Sequence, residues 1–131
     1  MTKEKKFLST FQVPVSLGEL IDKITILEIK TKYMDKEKLT NVEKELASLK
    51  LVLANIKIDI DIDLLLSLKA VNVKLWEIED EIRKKEIKKE FDREFIQLAR
   101  SVYIENDKRA SIKKEINIKY KSKLIEEKLY K

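Results

Sequence analysis

The sequence predicts an all-α fold, and three observations favour it. The 131 residues include one Gly and one Pro, so the residues that make the tight turns of β-hairpins are nearly absent. Apolar residues recur every three or four positions over several long segments, which is the period of an amphipathic helix. A chain of this length fits one domain with one core. We therefore expect an antiparallel bundle of four or five helices, with helices three and four the longest.

The chain divides into an arm and one domain. Residues 1–12 are basic and lack a helical period, which predicts a flexible arm, and residues 13–131 are expected to form a single helical domain. Ser16 and Glu19 have the spacing of a capping box, so Ser16 is predicted to begin helix one. The apolar stripe that follows predicts a helix as far as about Met34.

Helix two is predicted from a second pair with capping-box spacing. Thr40 and Glu43 form this pair, and an apolar stripe continues to about Ile56. Residues 58–63 then alternate between Ile and Asp like a strand, but no other segment offers a partner strand. We expect an extended connector there that ends in an acidic N-cap.

Helix three is predicted over about residues 64–90 and is expected to be the structural spine, because its apolar residues keep the helical step over nearly five turns. Asp92 is placed to cap helix four. The polar run at residues 105–107 is predicted to break or bend helix four. A last helix is then expected from Ala110 to near Leu129.

Two missing residue types limit the chemistry. The chain has no Cys, which excludes thiolate chemistry, and no His, which removes the commonest general base and the commonest transition-metal ligand. A Ser-His-Asp triad, a zinc site built on His or Cys, and a phosphohistidine are therefore excluded. Any catalysis must use Asp, Glu, Lys, Tyr or a cation bound by oxygen ligands. Neither a secretory segment nor a membrane-spanning run is recognisable, so we expect a cytoplasmic protein.

Arginine is used sparingly, with four Arg against 25 Lys. Arg offers a rigid planar fork that Lys cannot replace, so the positions that keep it mark a candidate polar site. Three arginines fall among polar and aromatic residues on helices three and four. The candidate ligand-binding residues are Asn72, Trp76, Glu79, Arg83, Arg100, Tyr103, Asn106, Asp107 and Arg109. They predict either an anion site with aromatic walls or a structural network that ties the two helices together.

A second interpretation is a magnesium site. Glu77 and Asp80 stand three residues apart, as do Glu19 and Asp22, and this spacing puts two hard oxygen ligands on one helix face. The spacing suits Mg²⁺ in the manner of the all-α nucleoside-triphosphate pyrophosphohydrolases, although the fuller acidic pattern of that family is absent. A Mg²⁺-dependent hydrolase using Glu77 and Asp80 is therefore the alternative function. Acidic pairs with this spacing also arise by chance among 24 acidic residues.

A third interpretation concerns the basic C-terminus. Residues 108–131 contain nine Lys or Arg against three Glu, and this excess would attract nucleic acid through counterion release. A solvated lysine-rich helix face explains the same run. Since only two tyrosines lie among these cations, a stacking platform for single strands is poorly supported, and we do not expect nucleic acid as a partner.

Three blocks of the sequence resemble an uncharacterised family of short all-helical bacterial and marine-phage proteins. The first block covers residues 13–30 and reads VPVSLGELIDKITILEIK, and the others lie within residues 71–83 and 98–110. The resemblance implies the helical fold and the importance of the polar blocks, but no reaction. It hints at an association with sugar transfer and surface polysaccharide. We expect a homo-oligomeric binding or accessory module for a nucleotide, nucleotide sugar, sugar phosphate or partner protein.

Overall fold

The computed structural model describes residues 10–128, and within them the chain forms four α-helices and no strand. The helices are α1 (Leu17–Lys30), α2 (Lys36–Ile56), α3 (Ile62–Lys88) and α4 (Arg93–Lys119). The predicted all-α fold is confirmed, and α3 and α4 are the longest helices, with 27 residues each. Residues 1–9, which make up most of the predicted basic arm, and residues 129–131 lie outside the described part of the chain.

The shortest helix, α1, lies at the centre. It packs against each of the other three helices, whereas α2 packs against α1 alone and α3 and α4 pair as an antiparallel hairpin. Nine of the 14 residues of α1 are buried, compared with five of the 27 in α3 and none in α2. Leu75 and Ile78 of α3 are buried, as the apolar stripe of helix three predicts. α1 buries a larger share of its residues because three neighbours surround it, whereas α3 belongs to a hairpin. That helix three is the structural spine stays a prediction.

The apolar core forms where α1 meets the hairpin. Its buried members are Leu17, Ile21, Leu64, Leu68 and Ile116. Leu68 and Ile116 are fully inaccessible to solvent, so α3 and α4 meet in the core as well as covering α1. None of the helices in residues 10–128 is both long enough and apolar enough to cross a membrane.

The starts of α1 and α4 agree with the sequence, and α3 begins two residues earlier than predicted. Ser16 caps α1 by accepting a hydrogen bond from the amide of Glu19, and Asp61 and Asp92 cap α3 and α4. Helix two begins earlier than predicted, because Asp35 is its N-cap. Thr40 lies inside the helix, where its hydroxyl donates to the carbonyl oxygen of Lys36 at 3.0 Å. Its spacing to Glu43 is therefore not a capping box.

Helix four is continuous, so the predicted break at residues 105–107 and the separate last helix are wrong. Glu105 is buried, and its carboxylate lies 3.2 Å from the ammonium groups of both Lys74 and Lys108. The polar run therefore pairs with lysines without interrupting the helix. Two boundaries also shift: helix one ends at Lys30, and helix three covers residues 62–88.

Candidate functional site

A cluster of buried polar side chains lies where α1, α3 and α4 meet. Asp22 has no accessible surface, and Thr25 and Asn72 are almost as deeply buried. The amide nitrogen of Asn72 donates to Asp22 Oδ1 at 2.9 Å and to Thr25 Oγ1 at 2.8 Å. Because buried polar groups are costly unless they are hydrogen-bonded, these bonds fix the register of α1 against α3.

Arg109 on α4 completes the cluster through a two-pronged ion pair with Asp22. Its Nε donates to Asp22 Oδ1 at 2.9 Å, and its Nη2 donates to Asp22 Oδ2. The hydrogen bonds and charge of Asp22 raise the pKa of Arg109 above its ordinary value, against the opposing effect of burial. Only the planar guanidinium can grip both oxygens in this way, which is a physical reason for Arg at this position.

Two further charged groups surround the Asp22–Arg109 pair. Lys113, one turn further along α4, pairs with Glu19 and lies 3.9 Å from Asp22 Oδ2. The charge of Glu79 also helps to raise the pKa of Arg109. On its outer side, Arg109 Nη1 makes only a long contact of 3.5 Å with Asn106 Oδ1. Asp22 therefore uses two of the five guanidinium N–H groups, and others remain for further bonds.

Arg109 lies on the walls of two clefts. The first, which we call the α4 cleft, has a volume of about 420 Å³ and is lined by Val102, Tyr103, Asn106, Arg109, Ala110, Lys113 and Lys128. The second, of about 460 Å³, lies between α1 and α2 and includes Glu19, Asp22, Lys23 and Glu45. The α4 cleft has three cationic residues and no acidic one in its lining, whereas the second cleft has mixed charge.

The structure brings together part of the set that the sequence singles out. Tyr103, Asn106 and Arg109 line the α4 cleft, and Asn72 lies behind it through Asp22. Asp107 stands at its rim, where it accepts a hydrogen bond from Lys128 at 2.6 Å.

Four other candidates lie outside the cleft, and one of them, Glu79, is exposed on α3. Trp76 stacks on Tyr33 with a ring separation of 5.0 Å. Arg83 and Arg100 are exposed, and neither forms an ion pair within residues 10–128. The three arginines therefore do not all enter one polar cluster.

The residues of the magnesium interpretation lie on the surface of α3. Glu77 and Asp80 are both exposed, and Asp80 is 3.3 Å from the ammonium group of Lys84. Across the described residues, no three Asp or Glu side chains gather closely enough to hold a metal ion. The magnesium site stays a prediction from spacing.

Sequence reasoning missed several members of the cluster. Asp22 attracted notice only as a possible metal ligand beside Glu19, Thr25 was not assigned to the site, and Lys113 and Lys128 gave no local signal. Asp22 is separated from Arg109 by 87 positions. The one available signal is that Asp22 and Thr25 interrupt the apolar run of α1 three residues apart, which puts two polar groups on a helix that is otherwise mostly buried.

Comparison with known proteins agrees with the resemblance at the level of the family. Searches among curated proteins and among solved structures give no match. The family of unknown function DUF6165 matches residues 11–131, which is nearly the whole chain and includes all four helices and the α4 cleft. The chain therefore belongs to the family of unknown function DUF6165.

Proposed function

We propose that this protein is a binding or accessory module that takes a small anionic molecule in the α4 cleft. The chemical class is a phosphorylated metabolite such as a nucleotide, a nucleotide sugar or a sugar phosphate. One observation carries the proposal: Arg109 is held from behind by the fully buried Asp22, while it also lines a cleft with Lys113 and Lys128. A guanidinium held in place in this way is preorganised for phosphate.

The residues that line the cleft suit both the phosphate group and the base or sugar of such a ligand. Phosphate oxygens accept hydrogen bonds from the remaining N–H groups of Arg109 and from the two ammonium groups. Tyr103 is 55% exposed and offers its ring to a base or a sugar. The amide of Asn106 both donates and accepts, so it can recognise a hydroxyl group or a ring nitrogen.

The cations of the cleft already have carboxylate partners, and this determines how a ligand would bind. The bond between Lys128 and Asp107 is exposed, so the net stability that it contributes is small and an anion displaces Asp107 at little cost. Asp22 is buried and stays with Arg109. We therefore expect binding that weakens as the salt concentration rises.

A thermal-shift screen of nucleotides, nucleotide sugars and sugar phosphates tests the proposal. A ligand at one hundred times its Kd stabilises the fold by about 2.7 kcal/mol, which raises the melting temperature measurably. Tyr103→Ala and Lys128→Gln should each reduce the shift without lowering the melting temperature of the free protein. Lys114→Gln is the matched control, because Lys114 lies on α4, forms a solvent-exposed ion pair as Lys128 does, and does not line the cleft.

Two results would contradict the proposal: no shift with any compound, or equal shifts in the cleft variants and the control. The same screen with and without Mg²⁺, read for phosphate release, tests the hydrolase interpretation. Release that is lost in Glu77→Gln would favour that alternative. The cytoplasmic location stays a prediction from the sequence.

A further inference from the structure

The α3–α4 hairpin extends beyond the helix that covers it. At 1.5 Å per residue, its two helices are each about 40 Å long, whereas α1 is about 21 Å long. We call residues 79–102, the part toward the connecting turn, the distal hairpin. None of its residues is buried, although the proximal part of α3 supplies five buried residues. The third layer that completes the core near α1 is therefore missing from the distal hairpin.

The distal hairpin has apolar residues that two helices cannot bury. Ile82, Phe95, Leu98 and Val102 remain partly exposed, and Ile96 is 56% exposed. An isolated pair of helices leaves one side of each apolar stripe in water, and a third or fourth helix is the usual way to cover it. The distal hairpin therefore exposes apolar surface that a complete helix bundle would bury.

The charges of the distal hairpin favour contact with a copy of itself. The segment contains seven acidic and seven basic residues, so its net charge is zero, while the whole chain carries +5. Self-association through this segment thus avoids the repulsion that the net charge of the chain imposes elsewhere. Six of the seven carboxylates pair with lysines of the same segment, but their side chains stay about half exposed, so a basic side chain of a second copy can share them across a two-fold axis.

Three of the four arginines of the chain lie in this segment. Arg83, Arg93 and Arg100 are exposed, and none of them forms an ion pair within residues 10–128. Arginine is enriched in protein interfaces and lysine is depleted there. Its retention here, in a chain that otherwise uses lysine, fits an interface in which the guanidinium groups find partners.

The accessible surface is larger than a compact monomer needs. It is 10602 Å², whereas a compact protein of this mass exposes roughly 7,200 Å². An allowance of about 2,000 Å² for the twelve residues outside 10–128 leaves an excess of about 1,400 Å². This is more than the roughly 800 Å² that each partner buries in a standard interface.

We propose that the distal hairpin is a homodimer interface, in which a second copy packs its own distal hairpin against the first. The two hairpins complete a four-helix bundle between the copies. Its core contains Phe95 and Ile96 of each copy, and its rim pairs Arg83, Arg93 and Arg100 with carboxylates of the other copy.

Sedimentation velocity of the full chain over a wide range of concentrations tests this proposal. The wild-type protein should sediment as a dimer. Ile96→Glu and Arg100→Glu should each halve the mass, while circular dichroism shows the helices intact. Ile118→Glu is the matched control: Ile118 lies on the same helix and is 60% exposed, but it is outside the distal hairpin. This variant should remain a dimer.

Cysteine cross-linking gives a second measurement that does not depend on weakening the dimer. The natural chain has no Cys, so a single introduced thiol reports on one position. Two-fold packing puts the middle of the distal part of α4 near the axis, so Ala99→Cys should form a disulfide between copies under mild oxidation. Ser48→Cys, on the exposed side of α2, should not. A monomeric wild-type protein, or a dimer broken by Ile118→Glu and unaffected by Ile96→Glu, would overturn the proposal.

Discussion

The two partners of the central ion pair differ in their access to water. The side chain of Asp22 is 1% exposed, whereas that of Arg109 is 28% exposed. If Asp22 is removed, the guanidinium can recover part of its hydration. If Arg109 is removed, a buried carboxylate keeps only the amide of Asn72 and the distant ammonium group of Lys113. The cost of breaking the pair should therefore depend on which partner is lost.

We predict that Arg109→Met destabilises the protein more than Asp22→Asn does. An uncompensated buried charge costs about 3–5 kcal/mol, and a lost hydrogen bond with partial compensation costs about 1–3 kcal/mol. Urea unfolding of both variants at neutral pH measures the difference. Equal losses of unfolding free energy, or a larger loss for Asp22→Asn, would show that the carboxylate of Asp22 is less buried than it is in the structure.

Glu105 predicts a loss of stability in acid. Burial disfavours its charged form, but hydrogen bonds and charge from Lys74 and Lys108 outweigh burial and lower its pKa below the ordinary value of 4.5. The carboxylate therefore stabilises the fold above that pH, and the contribution disappears as the pH falls through the lowered pKa. Unfolding free energies of Glu105→Gln should change less between about pH 6 and about pH 3 than those of the wild-type protein. Glu77→Gln, at an exposed position, should keep the wild-type dependence.

At the level of single residues, the sequence predicted part of the candidate site. The scarcity of arginine singled out Arg109, and helical spacing singled out Asn72, Tyr103 and Asn106. The same reasoning gave Arg83 and Arg100 equal weight, yet both are exposed because α1 does not extend far enough to cover them. Asp22 could not be recognised as the partner of Arg109, since nothing local connects positions so far apart in the chain.

Among the elements, the N-terminus of α1 is the most tightly held. The amide of Gly18 donates to Asn117 Oδ1 at 2.6 Å, and the amide of Leu17 donates to Ser122 Oγ at 3.1 Å. Ser16 accepts from Glu19 and donates to Glu126 at 2.7 Å. The end of α4 and the segment after it therefore bond the first turn of α1, and this contact sets the position of Asp22 one turn later.

We predict that Gly18→Ala weakens this contact. A Cβ atom at position 18 would stand 2.6 Å from the backbone carbonyl oxygen of Lys113 and 3.0 Å from Asn117 Oδ1. Since the nearer atom belongs to the backbone, α1 and α4 must move apart, and overpacking of this kind costs about 1–3 kcal/mol. This loss should appear in urea unfolding despite the better helix propensity of Ala. Ser48→Ala, on the exposed side of α2, should be nearly neutral.

The elements themselves were largely predictable, and their arrangement was not. Capping residues and apolar periods located α1, α3 and α4. The start of α2 was misplaced because Asp35 and Thr40 are both acceptable caps, and the polar run at residues 105–107 was wrongly predicted to interrupt α4. The central position of α1 had no local signal. It depends on Gly18 and Asn117 allowing α1 to lie close against α4, which a helical period cannot show.

In the molecule as a whole, the described part of the basic C-terminal region has few free positive charges, although its sequence is rich in Lys and Arg. Residues 108–128 contain eight cations, and six of them have a carboxylate partner. These six are Lys108, Arg109, Lys113, Lys114, Lys119 and Lys128. Their partners come from all parts of the chain, including Glu19, Asp61 and Glu127. Lys121 and Lys123 are the cations of this region that have no such partner among the described residues.

We therefore predict that the basic C-terminus does not bind nucleic acid at physiological salt. Binding by two unpaired lysines would give a slope of log affinity against log salt of only about −2, whereas nine available cations would give about −8. Fluorescence anisotropy of a labelled DNA duplex at several salt concentrations measures this slope. The double variant Asp61→Asn, Glu127→Gln frees Lys119 and Lys114, and it should steepen the slope by about two. Tight binding with a steep slope in the wild-type protein, lost when residues 119–131 are deleted, would show instead that the internal ion pairs open readily and that the nucleic-acid interpretation is correct.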